Sequence, residues 1–323
     1  MRDTLKTYII CLIITCLYCS CSRKHSATSP QRATITAEFN ADSAFAFLKT
    51  QVDFGPRTPG SEAHAKCVEY LATTLSRYAD TVTIQRGTTT RYDGKQINIS
   101  NIIASFNRNA RRRVMLSAHY DSRPWADQDQ DNKQWNTPID GANDGASGVA
   151  VLLEIARQLA IKNTDYGIDI FMWDAEDCGT PQFDQQHANN DSWCLGTQYW
   201  IKNKHLRNYE AQYGILLDMV GATDAQFLME YYSVQNASSL VNALWNTAAE
   251  LGYGQRFIKR KTHPITDDHY YLNMAGIPTI DIIHYDDNGF CKQWHTTNDN
   301  ISSISRETMH CVGHTVLHYL YNN

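Results

Sequence analysis

Hydrophobic positions along this chain fall into two alternating periods, and the alternation predicts its architecture. Residues 43–52 place Phe45, Leu48 and Val52 at helical spacing. A loop follows at residues 54–61, where two prolines and two glycines preclude regular structure, and Ser61 stands ready to cap the next helix. Cys67, Tyr70, Leu71 and Leu75 continue that helix at spacings of three and four. Residues 81–85 and 98–106 read as strands on either side of a turn at Asp93 and Gly94, and residues 114–118 as a short buried strand. Beyond the glycine-rich residues 140–148, an apolar helix carries Val149, Leu152, Leu153, Ala156 and Leu159 on one face. A strand over 167–173 and an irregular insertion over 180–191 precede a helix with Trp193, Leu195, Tyr199 and Trp200. Strands over 215–217 and 226–232, a helix over 238–251, a short helix capped at 266–269 and a strand over 277–283 follow. A last amphipathic helix runs through Met309, Val312, Val316, Leu317 and Leu320. Strands and helices alternate, which predicts an α/β fold: a single-domain three-layer α/β/α sandwich with a mixed, mostly parallel central sheet.

The first residues break this pattern. Arg2 and Lys6 precede an uncharged apolar stretch over 7–22, too short for a membrane span of about 18 or more apolar residues. Residues 1–21 therefore read as an export signal. Its end resembles a bacterial lipobox, which makes Cys21 the acylated first residue of the mature chain; ordinary cleavage nearby is the alternative. Residues 22–37 lack apolar period and read as a tether, leaving 38–323 as the folded domain. A lipid anchor in the periplasm would then be its one membrane contact.

Composition narrows the function. The chain is 42% hydrophobic and 11% aromatic, enough for a sizeable core. A formal net charge of -5 without a block of like charge argues against a nucleic-acid partner, and Arg111 to Arg113 read as a basic turn entering a strand. Beyond the signal, Cys67, Cys178, Cys194, Cys291 and Cys311 are too widely spaced for a disulfide scaffold or a zinc-thiolate site. One bridge is compatible with export, and Cys178 with Cys194 is its first candidate because both flank one insertion.

Chemistry concentrates at strand ends. Asp174, Glu176 and Asp177 crowd three carboxylates into four residues where the 167–173 strand stops, a repulsion relieved by a cation, by shared protons or by full solvation. His119 follows the 114–118 strand, and Asp121 two residues on can fix its tautomer and raise its basicity, or both can face a second metal. Asp144 sits near a helix N-terminus as ligand or cap, and Asp218 ends another strand. Asp267 and Asp268 precede His269, Asp281 is an unexpected acid within a strand, and the acidic loop 127–132 reads as solvated surface. Ligands of such sheets sit at the carboxyl ends of the strands, where His119, Asp144, Glu176, Asp177 and Asp218 fall. Histidine and carboxylates without thiolates suit catalytic zinc with an open coordination position.

These residues resemble the zinc aminopeptidase (M28-like) superfamily, and within it the bacterial glutaminyl cyclases. The motifs are Gly-Pro-Arg-x-Pro-Gly-Ser at 55–61, Ala118-His119-Tyr120-Asp121-Ser122, the glycines of 141–148, Trp173 to Asp177, Leu217-Asp218-Met219-Val220-Gly221, Asp267-Asp268-His269 and Trp294-His295-Thr296. The resemblance implies one zinc per chain on Asp144, Asp177 and His295, with Glu176 as general acid/base. It implies that Asp218 and Asp267 hydrogen-bond substrate and that Trp294 walls the pocket, with Trp193 assigned as the second pocket tryptophan from its place on the insertion. Asp281 stands where animal cyclases carry a histidine and is assigned to substrate. The implied reaction converts N-terminal glutamine of peptides and proteins to pyroglutamate with release of ammonia, and a monomer is the simplest expectation for the assembly. A two-zinc aminopeptidase, with His119 and Asp218 as added ligands, is the rival reading. A non-catalytic binding module of the same fold is the third.

Overall fold

The computed structural model describes residues 38–323, so the signal, the tether and Cys21 lie outside the described residues. Helix α1 (Ala41–Asp53) starts at Asn40, whose side chain accepts from the Ser43 amide. Helix α2 (Glu62–Leu75) starts at Ser61, which accepts from the His64 amide as its position predicts. Strands β1 (Thr81–Thr90) and β2 (Gln96–Phe106) pair antiparallel along their length. Next come β3 (Arg113–His119), α3 (Ala146–Ile161), β4 (Gly167–Trp173), α4 (Leu195–Lys202) and β5 (Gly214–Asp218). The chain then forms β6 (Phe227–Met229), α5 (Tyr231–Glu250), β7 (Phe257–Lys261), α6 (Asp268–Met274) and β8 (Thr279–Ile283). It closes with β9 (Tyr285–Asp286), β10 (Gly289–Phe290) and α7 (Arg306–Asn322).

Six strands form the central sheet in the order β1-β2-β4-β3-β5-β8. The first three pair antiparallel and the run β4-β3-β5-β8 is parallel, as the alternation of elements predicts. Both faces are covered, which is why β3 and β4 read as unbroken apolar runs. Ile168, Ile170 and Met172 of β4 pack in the larger core with residues of α1, α2, α3, α5 and α7. Phe171 and Trp173 point the other way, against Trp200 of α4 and Leu272 of α6. Among the described residues, no helix is long and apolar enough to cross a membrane.

Three expectations are corrected. The strand expected over 226–232 is three residues long, because Glu230 caps α5 by accepting from the amides of Tyr232 and Ser233. That helix begins earlier than expected and breaks at Ala237 (φ -144°), just before the predicted start. β6 and β7 instead join β9 and β10 in a second sheet, ordered β10-β9-β6-β7. Strands this short leave too few positions for a period-two pattern. Finally, Cys178 and Cys194 are not bridged, and all five described cysteines are free and buried. Cys178 packs with Ile99, Ala175 and Leu195, whereas the thiol of Cys194 turns toward Glu176.

Candidate metal centre

The turn after β4 is held from three sides. Asp174 braces it, its Oδ1 2.8 Å from Nε2 of His64 and its Oδ2 accepting from the Ser100 amide at 2.6 Å. The opening amides of α4 would otherwise lack partners; those of Cys194, Leu195 and Gly196 donate to the carbonyls of Glu176, Ala175 and Asp174 at 2.9, 3.1 and 2.9 Å. Asp121 accepts from the amides of Glu176 and Asp177 at 3.1 and 3.2 Å while standing 3.4 Å from Nδ1 of His119. Asp121 thus serves the acidic turn as well as the imidazole.

Strain gathers in the same place. Of the five non-glycine residues with positive φ among the described residues, Ala175 (52°), Cys194 (53°), Met219 (48°) and His295 (54°) all border or belong to the site. Gly145 (φ 98°) precedes α3, and a Cβ there would stand 2.4 Å from the carbonyl of Asp121. No side chain caps α3, so Asp144 is free of the capping role and points into the site.

Asp144, Asp177 and His295 bring one donor atom each within 4.8 Å of one another. Nε2 of His295 lies 3.1 Å from Oδ1 of Asp177 and 3.7 Å from Oδ2 of Asp144. Oδ2 of Asp177 is buried without a hydrogen-bond partner. Burial, and then the charge of neighbouring Asp144 against the attraction of His295, leave the Asp177 carboxyl above its ordinary range. An orphaned oxygen, paired carboxylates and an imidazole fit a zinc ion with one open position. His119, Asp144 and Asp218 form an adjoining group, in which Nε2 of His119 is 2.9 Å from Asp144 and 3.2 Å from Asp218.

The sequence pattern of peptidase family M28 matches residues 101–320. The chain belongs to that family. A Zn-dependent exopeptidase from Parabacteroides distasonis ATCC 8503 superposes on this M28 chain with a TM-score of 0.88 at 49% identity, over 90% of this chain and 100% of that one. The glutaminyl cyclase of Bacteroides thetaiotaomicron, bound to N-acetylhistamine, superposes with the same TM-score and coverage at 47% identity. The glutaminyl-peptide cyclotransferase of Gloydius blomhoffii is 25% identical over 236 residues, 65% of this chain and 61% of that protein. The M28 chain thus spans less than two thirds of the length of that curated relative.

A cavity of about 360 Å³ opens over the M28 site, lined by Glu176, Asp218, Asp267, Trp193, Trp294 and the three donor residues among others. Burial, then the charge of Asp267, raises the Glu176 carboxyl well above its ordinary range. Trp294 stacks on His295 at 3.8 Å between ring centroids, and Trp193 lies parallel to the same imidazole at 5.9 Å. Asp281 does not reach this cavity. Ile283 does, and Asp281 sits one pleat deeper on the same side of β8, 3.6 Å from Nδ1 of His269. His269 in turn meets Glu230 at 3.0 Å, so Asp281 belongs to a buried network behind Asp267, not to the substrate wall.

Sequence reading missed Arg123 and Asp127. Arg123 is buried, donates to the carbonyls of Asp177 and Gly179 at 3.0 and 3.1 Å, and lies 4.6 Å from the Trp193 ring centroid. Asp127 accepts from Arg123 at 3.0 and 2.7 Å and stands 3.5 Å from Nδ1 of His295. Only 2% exposed, it corrects the reading of 127–132 as solvated surface at its first residue. The available signal was Arg123 following Asp121 within an aromatic stretch, Tyr120 and Trp125, where a free cation would be costly.

Proposed function

We propose that this protein is a zinc-dependent glutaminyl-peptide cyclotransferase acting on peptides and proteins with N-terminal glutamine. The observation that carries the reading is a buried Glu176 beside, but outside, a three-donor metal site in an acidic pocket walled by two tryptophans. Among the described residues no lysine or arginine lines that pocket, so an amino terminus is the charge it favours. The likeness to the Bacteroides thetaiotaomicron glutaminyl cyclase over 90% of the chain supports the same reading.

N-terminal glutamine already holds its nucleophile near its own side-chain amide, so rate enhancement comes largely from orientation. When bound by Asp144, Asp177 and His295, zinc supplies a Lewis acid that polarises the γ-amide oxygen. The substrate α-amine attacks the carbonyl carbon of the γ-amide, whose bond to the amide nitrogen then breaks; Glu176 takes the proton the amine loses and delivers it to that nitrogen, which leaves as ammonia. Asp218 and Asp267 accept from the amine and hold it in line. Trp193 and Trp294 close the pocket to water, which would otherwise compete with the amine. One zinc per chain and a monomeric assembly complete this reading. Export through residues 1–21, with lipid attachment at Cys21, would place the enzyme among exported substrates in the periplasm.

The group of His119, Asp144 and Asp218 favours a second reading, a two-zinc aminopeptidase. In the cyclase reading His119 instead stays hydrogen-bonded between the two carboxylates. Replacing Glu176 by Gln tests the assignment: the variant is expected to retain zinc and lose formation of pyroglutamyl peptide, read by mass spectrometry. Undiminished turnover would remove Glu176 from the mechanism.

A further inference from the structure

The carboxylate of Glu176 has one hydrogen-bond donor among the described residues, and it is a thiol. Sγ of Cys194 lies 3.1 Å from Oε1 of Glu176, with both groups buried. Cys194 is also the residue at which the chain turns into α4, with φ 53° and ψ 37°. Its amide donates to the carbonyl of Glu176 at 2.9 Å, so a single residue grips Glu176 through backbone and side chain together. The amides of Leu195 and Gly196 continue the grip onto Ala175 and Asp174, and a Cβ on Gly196 would stand 2.2 Å from the Asp174 carbonyl. The turn is therefore built for close approach of α4 to the acidic loop.

A buried cysteine often serves only as a small apolar filler. Cys67 and Cys178 fit that description, packed among apolar side chains. Cys194 does not, because its sulfur faces a carboxylate, and Glu176, Cys194 and Asp267 bring their polar atoms within 4.8 Å of one another. A carboxyl that must take and return a proton needs a fixed direction without a strong competing bond. A thiol, a weak donor, supplies the direction at low cost.

We infer that Cys194 is a positioning residue for cyclisation: its thiol donates to Oε1 of Glu176 and leaves the other oxygen to exchange protons with the substrate. The inference rests on the assignment of Glu176 as the proton carrier. Cysteine, serine and alanine bear similar backbone strain at φ 53°, so comparing them isolates the side chain.

Two measurements test it. Cys194→Ala is expected to lower kcat about three- to tenfold, up to the size of one ordinary lost hydrogen bond, with KM within about twofold. Cys194→Ser, which keeps a donor, is expected to recover most of that loss, with zinc content and thermal midpoint near wild type in both variants. Equal losses in the two variants, or a wild-type kcat in Cys194→Ala, would overturn the role. Independently of activity, the infrared S–H stretching band that Cys194→Ser removes is expected below the frequency of the other buried thiols and to shift in Glu176→Ala. A band that ignores Glu176 would overturn the contact itself. A wild-type protein that fails to cyclise while the band still responds would overturn the reaction and the part of Cys194 in it, leaving the contact. Wild-type cyclisation with an unaffected Cys194→Ala variant would overturn this inference alone.

Discussion

Replacing Asp127 by Asn keeps the shape of a side chain that bonds a buried guanidinium on one side and faces the outer nitrogen of His295 on the other. The wild-type carboxylate accepts from Arg123 at 3.0 and 2.7 Å, from the Gln182 amide at 2.8 Å, and lies 3.5 Å from Nδ1 of His295. Two separate losses follow. A carboxylate behind a ligand imidazole fixes its tautomer and raises its basicity, and removing such a partner lowers metal affinity by about 10- to 100-fold, roughly 1.4–2.7 kcal/mol. Breaking one side of a buried ion pair costs about 3–5 kcal/mol. The lower end applies here because Arg123 keeps the Asp177 and Gly179 carbonyls, a 3.5 Å approach to the Asp177 carboxylate and the face of Trp193. At roughly 2 °C per kcal/mol for a domain of this size, the metal-free variant should melt about 6 °C below wild type. Competition with a chromophoric chelator reads the first loss, and calorimetry of the metal-free proteins reads the second. Zinc affinity within twofold of wild type would refute the role given to Asp127, whatever the melting temperature.

Two further outcomes follow from the same geometry. A Cβ on Gly179 would lie 2.0 Å from ring atoms of Trp193, so Gly179→Ala should displace that wall and raise KM for a Gln-initiated peptide about tenfold; an unchanged KM would show that Trp193 does not hold substrate. Burial alone would lower the pKa of His64, but the hydrogen bond and charge of Asp174, with the charge of Asp121, raise it above 6.5. A pKa raised on folding stabilises fully below the unfolded value and ceases to do so as pH climbs through the folded one. Denaturant titrations should therefore show the stability gap between wild type and His64→Gln widest below about pH 6.5 and narrowing above it; a gap that widened with pH would contradict the pairing.

The parallel half of the fold was legible because burial on both faces writes itself as unbroken apolar runs, as in β4, and the Ser61 cap because one residue type suits that place. The second sheet was not, since strands such as Tyr285–Asp286 hold no period. Asp144, Asp177 and His295 are brought together as the resemblance implied; the two aspartates also stood out as carboxylates at a strand end and a glycine-rich turn, whereas His295 was pointed to by the resemblance alone. Asp127 was hidden because an acid in an acidic, glutamine-rich loop looks solvated, and only the fold reveals Arg123 beside it. Asp281 was legible as an anomaly but not as to depth, because one pleat decides whether it meets substrate or the buried His269. Cys194 looked like half of a disulfide because spacing carries no information about the direction its left-handed turn gives the thiol.

Parallel incubation of the zinc-loaded protein with a Gln-initiated and a Leu-initiated peptide, with metal content measured on the same sample, addresses the central claim most directly. The account predicts about one zinc per chain, ammonia and a pyroglutamyl peptide from the first substrate, loss of both after chelation, and no free leucine from the second. Two zincs per chain with release of free leucine would contradict it.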